Sequence, residues 1–178
     1  MEDNKNIMRA INIEKVVINM GTGSDESINK NAKNLIEIIT NSKPVSTLSK
    51  KRNPAFKVSK GQRIGAMVTI RGKNAETLAN RLLDAVDNKL KESNIMNNTV
   101  NFGIKEYIDI SKVKYDPKIG MLGLNVNITF KRKGARVEQR KRKQSKISMK
   151  HKMIKKEEII DFMKKRFNTE IVWYNCII

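Results

Sequence analysis

The sequence predicts an α+β fold, a mostly antiparallel β-sheet with helices packed on one face, plus a basic insertion and an extended loop. Residues 122–131 alternate strictly between apolar and polar side chains, which is typical of an antiparallel strand with one buried face. The predicted elements run strand, helix, strand, helix, several strands and a final helix, without internal repeats. The 178 residues fit one domain, and 39% apolar residues suffice for a modest core.

The first predicted strand ends at a pair of glycines. Alternate residues of a strand point to opposite faces, so Val16, Ile18 and Met20 share one face. Val17 and Asn19 share the other face with Lys15.

Two helices are predicted from apolar side chains at helical spacing. Ser24 is expected to cap the first and Asn74 the second, since both side chains accept hydrogen bonds from a helix N-terminus. The apolar stripes are Ile28, Ala32, Leu35 and Ile39 in the first helix, and Leu78, Leu82, Val86 and Leu90 in the second. A third, short helix near the C-terminus places Ile159, Phe162, Met163 and Phe167 on its apolar side.

Three further strands are predicted by alternation. Their inward residues are Ile64, Ala66, Val68 and Ile70; then Val100, Phe102, Ile104 and Ile108; then Leu122, Leu124, Val126, Ile128 and Phe130.

The outward face of these strands carries neutral hydrogen-bonding side chains instead of the usual mixture of Glu and Lys. They are Asn19, Thr69, Asn125, Asn127 and Thr129. One interpretation is a plain soluble strand surface. The other is a polar platform that short donors and acceptors offer to sugars and base edges of a nucleic acid.

The net charge of +19 far exceeds what solubility needs and predicts a polyanionic partner. Nucleic acid is the first expectation and an anionic membrane surface the second. Residues 1–130 and 131–178 are both basic, so the charge does not come from a tail alone. Cys176 stands alone, and no signal peptide or transmembrane segment is visible, which leads us to expect a reducing cytoplasm.

A loop over residues 49–63 carries six Lys or Arg residues and no acid. As a nucleic-acid finger, it would neutralise phosphates with these cations and stack Phe56 on an unpaired base or ribose. As a mobile solvated loop, it would need no phenylalanine, although Phe56 could instead tuck underneath it.

A second basic stretch over residues 131–152 holds 11 Lys or Arg residues against one acid, Glu138. Such a run cannot fold on itself without counter-charges. RNA or DNA contact is the favoured interpretation and a localisation signal the alternative. The residues that are predicted to follow phosphates are Arg136, Arg140, Lys141, Arg142 and Lys143.

Enzymatic interpretations find little support. His151 is the only histidine and lies within the basic run, where a phosphate contact or a passive surface role fits better than general-base catalysis. The Gly21–Gly23 pair lacks a third glycine, because position 26 is Glu, which would repel a pyrophosphate. No carboxylate pair has metal-binding spacing, and neither a metal nor a cofactor is predicted.

Four blocks identify a family: "KVVINMGTG", "KPVSTLSKKRNPAFKVSKGQRIGAMVTIRG", "NFGIKEYIDI" and "KYDPKIGMLGLNVNITF". In this order and spacing they resemble the universal large-subunit ribosomal proteins that bind 5S ribosomal RNA, the fifth in the large-subunit series. The resemblance covers about residues 7–172. The insertion 131–152 and the helix after it resemble the archaeal and eukaryotic branch.

The resemblance implies a structural protein of the central protuberance whose exposed sheet face binds 5S rRNA. By motif position, Asn19, Phe56 and Thr69 would contact this RNA. The family's glutamine before a Lys-Pro pair is replaced here by Ser42, which is shorter.

The family's loop between its second and third strands reaches P-site tRNA. This implies tRNA contact by Lys50, Lys51 and Arg52 at the loop's tip and by Lys57 nearby, with Phe56 anchoring the loop's base on 5S rRNA. Phosphates of large-subunit rRNA would also meet Arg63 and Arg71. A small-subunit head protein, the thirteenth in its series, would be a partner at an intersubunit bridge, and no homo-oligomer is expected.

Two alternatives remain. A free RNA chaperone would share the electrostatics but would bind many RNAs alike, while an RNA-processing enzyme lacks a visible catalytic group. The apolar tail, Trp173–Ile178, extends past the usual family end and either packs on the domain or contacts a protein.

Overall fold

The computed structural model describes residues 6–111 and 113–172 and confirms the α+β class. The predictions on the tail 173–178 lie outside the described residues. The strands are β1 Ile11–Gly21, β2 Val45–Leu48, β3 Arg63–Ile70, β4 Lys89–Lys91, β5 Ile95–Met96, β6 Thr99–Ile104, β7 Leu124–Arg132 and β8 Glu170–Val172. The helices are α1 Glu26–Thr40, α2 Lys73–Asp84, α3 Arg136–Gln139, α4 Met149–Lys152 and α5 Lys156–Phe167.

Six strands form one sheet in the order β2-β3-β1-β7-β6-β5, and every neighbouring pair is antiparallel. The first strand of the chain, β1, is central and pairs with β3 on one side and β7 on the other. A separate parallel pair joins β4 to β8. Within the described residues, no helix is long and apolar enough to cross a membrane.

The core lies between one face of the sheet and the helices α1, α2 and α5. The alternation seen in the sequence decides which strand residues face it, and β1 contributes Val16, Ile18 and Met20, all nearly inaccessible to solvent. Burial of such apolar side chains is the main force that holds the layers together.

The helix starts differ from the predicted caps. α1 begins at Glu26 with Asp25 as its N-cap, and α2 begins at Lys73 after Gly72. Gly72 has a positive φ of 75°, which suits glycine.

The second helix is also shorter than its predicted apolar stripe. Asp87 and Asn88 both adopt the left-handed conformation, which ends the helical turn, and Leu90 is buried in β4 instead. Leu90 fits the helical spacing in the sequence because it is apolar and buried, but it reaches the same core from a strand.

The third predicted strand ends early, at Ile104. Its continuation turns inward at Tyr107, which is fully buried and accepts a hydrogen bond from the backbone N–H of Asp116 at 3.1 Å. The next residue, Ile108, therefore faces outward and is 39% exposed, contrary to its predicted inward position. β7 begins two residues later than expected, with Leu122 half-buried beside the core.

The strand β2 was not predicted, because four residues between Pro44 and the basic loop give too short a pattern. It pairs with β3 where Gly65 allows a close approach. A Cβ at this position would lie 2.5 Å from the carbonyl oxygen of Met20 and 2.8 Å from Thr47 Oγ1.

Candidate nucleic-acid interface

The second face of the sheet carries the predicted neutral polar side chains in registered rows. Asn19 of β1 pairs with Met67 of β3 on one side and with Asn125 of β7 on the other. In the next row, Val17 pairs with Thr69 and Asn127. The structure thus brings together Asn19, Thr69, Asn125, Asn127 and Thr129 on one surface.

Part of this surface is fixed by its own hydrogen bonds. Thr129 Oγ1 donates to Asn127 Oδ1 at 3.1 Å, and Asn127 Nδ2 donates to Asn101 Oδ1. Asn101 lies on β6, directly opposite Asn127. Sequence reasoning missed Asn101, although its alternation with Val100 and Phe102 carried the same signal.

Asn19 and Asn125 differ from these hydrogen-bonded side chains because both are exposed and have no hydrogen-bond partner among the described residues. Beside them, Gly103 pairs with Asn125 and adds no side chain above the sheet. The two carboxamides are therefore free to donate to and accept from a ligand that lies flat on this row.

Together these rows form an open, shallow depression on the polar face. Its floor combines short uncharged donors and acceptors with a few apolar groups, and Lys15 supplies a charge at one side. Phosphate contacts generally position a nucleic acid, whereas neutral groups that approach closely can hydrogen-bond to sugars and base edges. This chemistry suits an RNA surface better than a small-molecule pocket.

In the basic loop between β2 and β3, backbone hydrogen bonds join the two arms and form a short ladder. Ser49 exchanges backbone hydrogen bonds with Gln62 and Gly61, while Asn53 and Val58 exchange two more at 2.8 and 3.0 Å. A single turn of 3₁₀ helix, Pro54–Phe56, closes the far end. The turn is the tip of the loop, because it lies between Asn53 and Val58, the innermost hydrogen-bonded pair.

Phe56 therefore lies at the tip, contrary to its predicted place at the loop's base. Its side chain is 72% exposed and does not tuck beneath the loop. The predicted tip residues Lys50, Lys51 and Arg52 flank the ladder instead. These three and Lys57 are exposed, and none has an ion-pair partner among the described residues.

Two predicted contact residues already have partners in the protein. Arg63 lies 3.5 Å from Glu26, with both side chains more than half exposed. Such a surface pair is weak and leaves the arginine available to a phosphate. Ser42 is half-buried, and its hydroxyl donates to the carbonyl of Thr40 at 3.3 Å.

The basic insertion is clamped at its base by Arg132. This side chain is 9% exposed and pairs with Glu158 of α5 at 2.6 Å. It also donates to the carbonyls of Arg9 and Met153, which joins the N-terminal segment to the end of the insertion. Part of the negative charge that the basic run lacks is thus supplied by Glu158, which lies outside the run.

The outer part of the insertion presents its cations to solvent. Glu138, the only acid in the run, pairs with Lys152 at 2.7 Å, which leaves Arg136, Arg140, Lys141, Arg142 and Lys143 exposed. A second depression, at the end of β1 opposite to the basic loop, is lined by Arg71, Lys131, Lys133 and Arg136. Glu14 also lines it and pairs with Lys131 at 3.7 Å. The polar face thus lies between two cationic regions.

Both parts of the chain match models of one protein family. Residues 6–58 match the family model for ribosomal protein L5, and residues 63–168 match the model for the C-terminus of the same ribosomal protein family. Strands from both matched parts share the six-stranded sheet.

Curated relatives match almost the whole chain. The large ribosomal subunit protein uL5 of Sulfurisphaera tokodaii is 41% identical, over 94% of this chain and 95% of its own. That of Nanoarchaeum equitans is 42% identical over 93% and 98%, and that of Methanosphaera stadtmanae 38% identical over 93% and 99%. The four sequence blocks and the prediction of a non-enzymatic protein agree with these matches. The chain belongs to the L5 family of ribosomal proteins, known in the large subunit as uL5.

Proposed function

We propose that this protein is a structural constituent of the large ribosomal subunit, on cytoplasmic ribosomes, and that the open face of its sheet binds 5S rRNA. The family supports the ribosomal part of the proposal. The observation that carries the RNA-binding part is the exposed row of Asn19 and Asn125, two carboxamides without an internal hydrogen-bond partner among the described residues, on the sheet face opposite to the core. In this role, the protein helps to attach 5S rRNA in the central protuberance as a single RNA-binding domain.

The hydrogen-bonded chain of Thr129, Asn127 and Asn101 gives this face a fixed shape. Preorganised groups lose little freedom when a ligand binds, which favours one RNA over others. Thr69 stands exposed in the same row as Asn127 and would contact the RNA backbone or a sugar. Ser42 would contribute only after its hydroxyl leaves the carbonyl of Thr40.

The basic loop adds phosphate contacts and one aromatic surface. Phe56 at the exposed tip would stack on an unpaired base, while Lys50, Lys51, Arg52 and Lys57 would neutralise the phosphates of P-site tRNA or of the neighbouring rRNA. Stacking of this kind contributes roughly 1–3 kcal/mol per base. The loop's hydrogen-bond ladder supports this role because it fixes the turn that carries Phe56, which is 72% exposed.

At the other end of β1, Arg71 and the insertion would meet phosphates of large-subunit rRNA. The exposed cations Arg136, Arg140, Lys141, Arg142 and Lys143 and the depression beside Arg71 support this assignment. Contact with a protein of the small-subunit head, at an intersubunit bridge, is proposed from the family resemblance alone.

The decisive experiment compares binding of 5S rRNA with binding of an unrelated structured RNA of equal length at physiological salt. We expect wild-type protein to prefer 5S rRNA, and Phe56→Ala to weaken that binding by about 5- to 150-fold, as the loss of one stacked base implies. Tyr115→Ala removes another exposed aromatic ring and serves as the matched control.

Equal binding of both RNAs by wild-type protein would contradict 5S rRNA recognition and favour the general RNA chaperone. A preference for 5S rRNA that Phe56→Ala leaves unchanged would contradict the role of the loop tip while sparing that of the sheet face.

A further inference from the structure

The strand β1 contains a β-bulge at Glu14. The register of β1 against β7 shifts between Ile13 and Lys15, so Glu14 is the extra residue of β1 in this pairing. In a regular strand, Ile13 and Val16 would face opposite sides, whereas here Val16 is fully buried and Ile13 packs against the same core. Bulges commonly redirect a side chain, and this one directs the Glu14 carboxylate to the helix α3.

Glu14, Lys131 and Gln139 form a closed triangle of polar contacts that joins β1, β7 and α3. Lys131 Nζ lies 3.7 Å from Glu14 Oε1 and donates to Gln139 Oε1 at 2.7 Å, while Gln139 Nε2 donates to Glu14 Oε1 at 3.4 Å. The side chains of Lys131 and Glu14 are only 23% and 28% exposed. An ammonium only donates and a carboxylate only accepts, so the amide of Gln139 can bond to both. Glu14 is therefore one of two groups that hold Gln139 against the sheet.

The triangle matters for Arg136 because α3 is a single turn of helix. Its four residues, Arg136–Gln139, are too few to form a stable helix by themselves, so contacts with the rest of the protein hold them in place. Arg136 and Gln139 stand three positions apart and are neighbours on the helix surface. A contact that fixes Gln139 therefore also fixes the backbone from which the Arg136 side chain extends.

Arg136 belongs to the cationic depression at the end of β1, whose volume is about 480 Å³. Its exposed cations Arg71, Lys133 and Arg136 have no ion-pair partner among the described residues. Arg132 also lines the depression but is engaged with Glu158. Two of the three unpaired cations are arginines, and a planar guanidinium can bind two phosphate oxygens at once. The depression thus has the groups that a phosphate site needs.

Charge alone does not explain why an acid lies in this depression. Glu14 lines it together with the three unpaired cations, and a carboxylate repels a phosphate. Its contacts with Lys131 and Gln139 give it a different role, because they fix the position of its neighbours.

We propose that Glu14 is a positioning residue for RNA binding. Through Gln139 it holds Arg136 in the same depression as Arg71 and Lys133, so that the three cations bind one stretch of RNA backbone. This inference rests on the proposed role of the depression as a phosphate site. Glu14 itself makes no contact with phosphate in this arrangement.

The test uses the sign of a charge change. Glu14→Ala makes the net charge more positive, so electrostatics alone predicts tighter RNA binding. We expect weaker binding instead, by about 5- to 8-fold at about 0.1 M salt, which is the contribution of one phosphate contact. The slope of log K against log salt should also become smaller by about 0.7–0.9.

The probe is a short RNA hairpin of unrelated sequence, because phosphate contacts carry no sequence information. Its affinity for the full-length protein is measured by fluorescence anisotropy over a series of salt concentrations.

Two control variants separate position from charge. Glu14→Gln removes the same charge but keeps an oxygen that accepts from Gln139, so it should bind the hairpin at least as tightly as wild type. Glu37→Ala removes an exposed acid from α1, on the core side of the sheet, and should likewise not weaken binding.

Gln139→Ala tests the same triangle from its exposed corner and should repeat the loss seen with Glu14→Ala. The rest of α3 keeps its attachment, because Ala135 before it is buried and Glu138 pairs with Lys152. This variant decides the question if urea unfolding shows that Glu14→Ala does not fold.

Arg136→Ala tests the route of the effect. It should weaken hairpin binding by about the same factor as Glu14→Ala, and the double variant should be no weaker than Arg136→Ala alone. A residue that acts through another has no further effect once that residue is gone.

Hairpin binding that Glu14→Ala strengthens or leaves unchanged would overturn the proposal. Wild-type affinity in Arg136→Ala, or losses that add in the double variant, would overturn it as well. None of these measurements uses 5S rRNA. A wild-type protein that fails to prefer 5S rRNA would therefore contradict the proposed function and leave this proposal standing.

Discussion

Two asparagines of β7 that point to the same side of the sheet are expected to act differently. Asn125 is exposed and has no hydrogen-bond partner among the described residues, whereas Asn127 is held between Asn101 and Thr129. Asn125→Ala should weaken 5S rRNA binding by about 2- to 10-fold, the effect of losing one hydrogen bond. Calorimetric unfolding should show an unchanged midpoint, because no internal contact is lost.

Asn127→Ala provides the contrast. It leaves Asn101 Oδ1 and Thr129 Oγ1 without their internal partner, which should lower the free energy of unfolding by roughly 0.5–1.5 kcal/mol. Urea titration measures this loss. Equal stability losses in the Asn125 and Asn127 variants would contradict the division into a free and a fixed amide.

Sequence alternation was sufficient to place Asn19, Asn125 and Asn127 on one face, because strand side chains follow a period of two. It could not distinguish free from bonded amides, since hydrogen bonds across strands depend on register. Asn101 carried the same alternation signal and was overlooked, whereas its hydrogen bond with Asn127, 26 residues away in sequence, could not have been predicted from that signal.

At the scale of elements, the attachment of β2 to the sheet depends on Gly65. Gly65→Ala places a methyl group within 3 Å of the Met20 carbonyl and Thr47 Oγ1, so the strands must separate. We expect a loss of roughly 1–3 kcal/mol in the free energy of unfolding, as for other overpacked sites. Hydrogen exchange of the β2 and β3 amides should accelerate most.

Gly21→Ala is the matched control for this change. Gly21 pairs with Gly65 in the sheet, yet no atom lies within 4 Å of the position of its added Cβ. Its stability should therefore change little. A large loss in both variants would mean that strand glycines matter here for some reason other than close approach.

The clamp at Arg132 should control how firmly the insertion is attached to the domain. Arg132→Met removes the pair with Glu158 and two hydrogen bonds to carbonyls. Because Glu158 remains partly solvated, the expected loss is roughly 1–3 kcal/mol in urea unfolding. Exchange of the Ile154 N–H, which donates to Asn98 Oδ1 at 2.7 Å, should become faster.

Arg166→Met breaks the exposed pair with Glu76 and controls for the loss of one arginine. Exposed ion pairs contribute little, so its effect should stay within about 1 kcal/mol. If Arg132→Met destabilised no more than this control, the clamp would have no special role.

The predictability of the elements follows their length and regularity. β1, β3, β7 and α1 showed long periodic patterns and were predicted within a few residues, as was α5. The end of α2 depends on Asp87 and Asn88, which adopt the left-handed conformation. The periodicity of apolar side chains does not predict this conformation. The ordered base of the insertion depended on Glu158, a residue outside the basic run.

At the scale of the whole molecule, the neutral polar face lies between the basic loop and the basic insertion. RNA binding should therefore depend steeply on salt, falling roughly 10³–10⁵-fold between 50 and 200 mM for six to ten phosphate contacts. Replacing Lys50, Lys51 and Arg52 by alanine should reduce the slope of log K against log salt by about 2–3, or 0.7–0.9 per lost contact.

Replacing Lys164, Lys165 and Arg166 by alanine removes the same charge from the end of α5, which carries no proposed contact. The slope should then change by less than about 1. Equal changes in the two triple variants would show that net charge, and not the position of the loop, governs binding.

The central place of β1 has a consequence for the synthesis of the chain. β1 ends at Gly21 and its neighbour β7 starts at Leu124, so about 100 residues separate them. At roughly 5–20 residues per second, the ribosome needs on the order of 5–20 s to synthesise the residues between the two strands. During this time, the edge of β1 that will pair with β7 has no partner strand. Because β7 is the last strand of the six-stranded sheet to emerge, the same late step completes the sheet and supplies Asn125 to the polar face, before α5 adds its side chains to the core. The nascent protein should therefore acquire the proposed RNA-binding surface only when its sheet is completed.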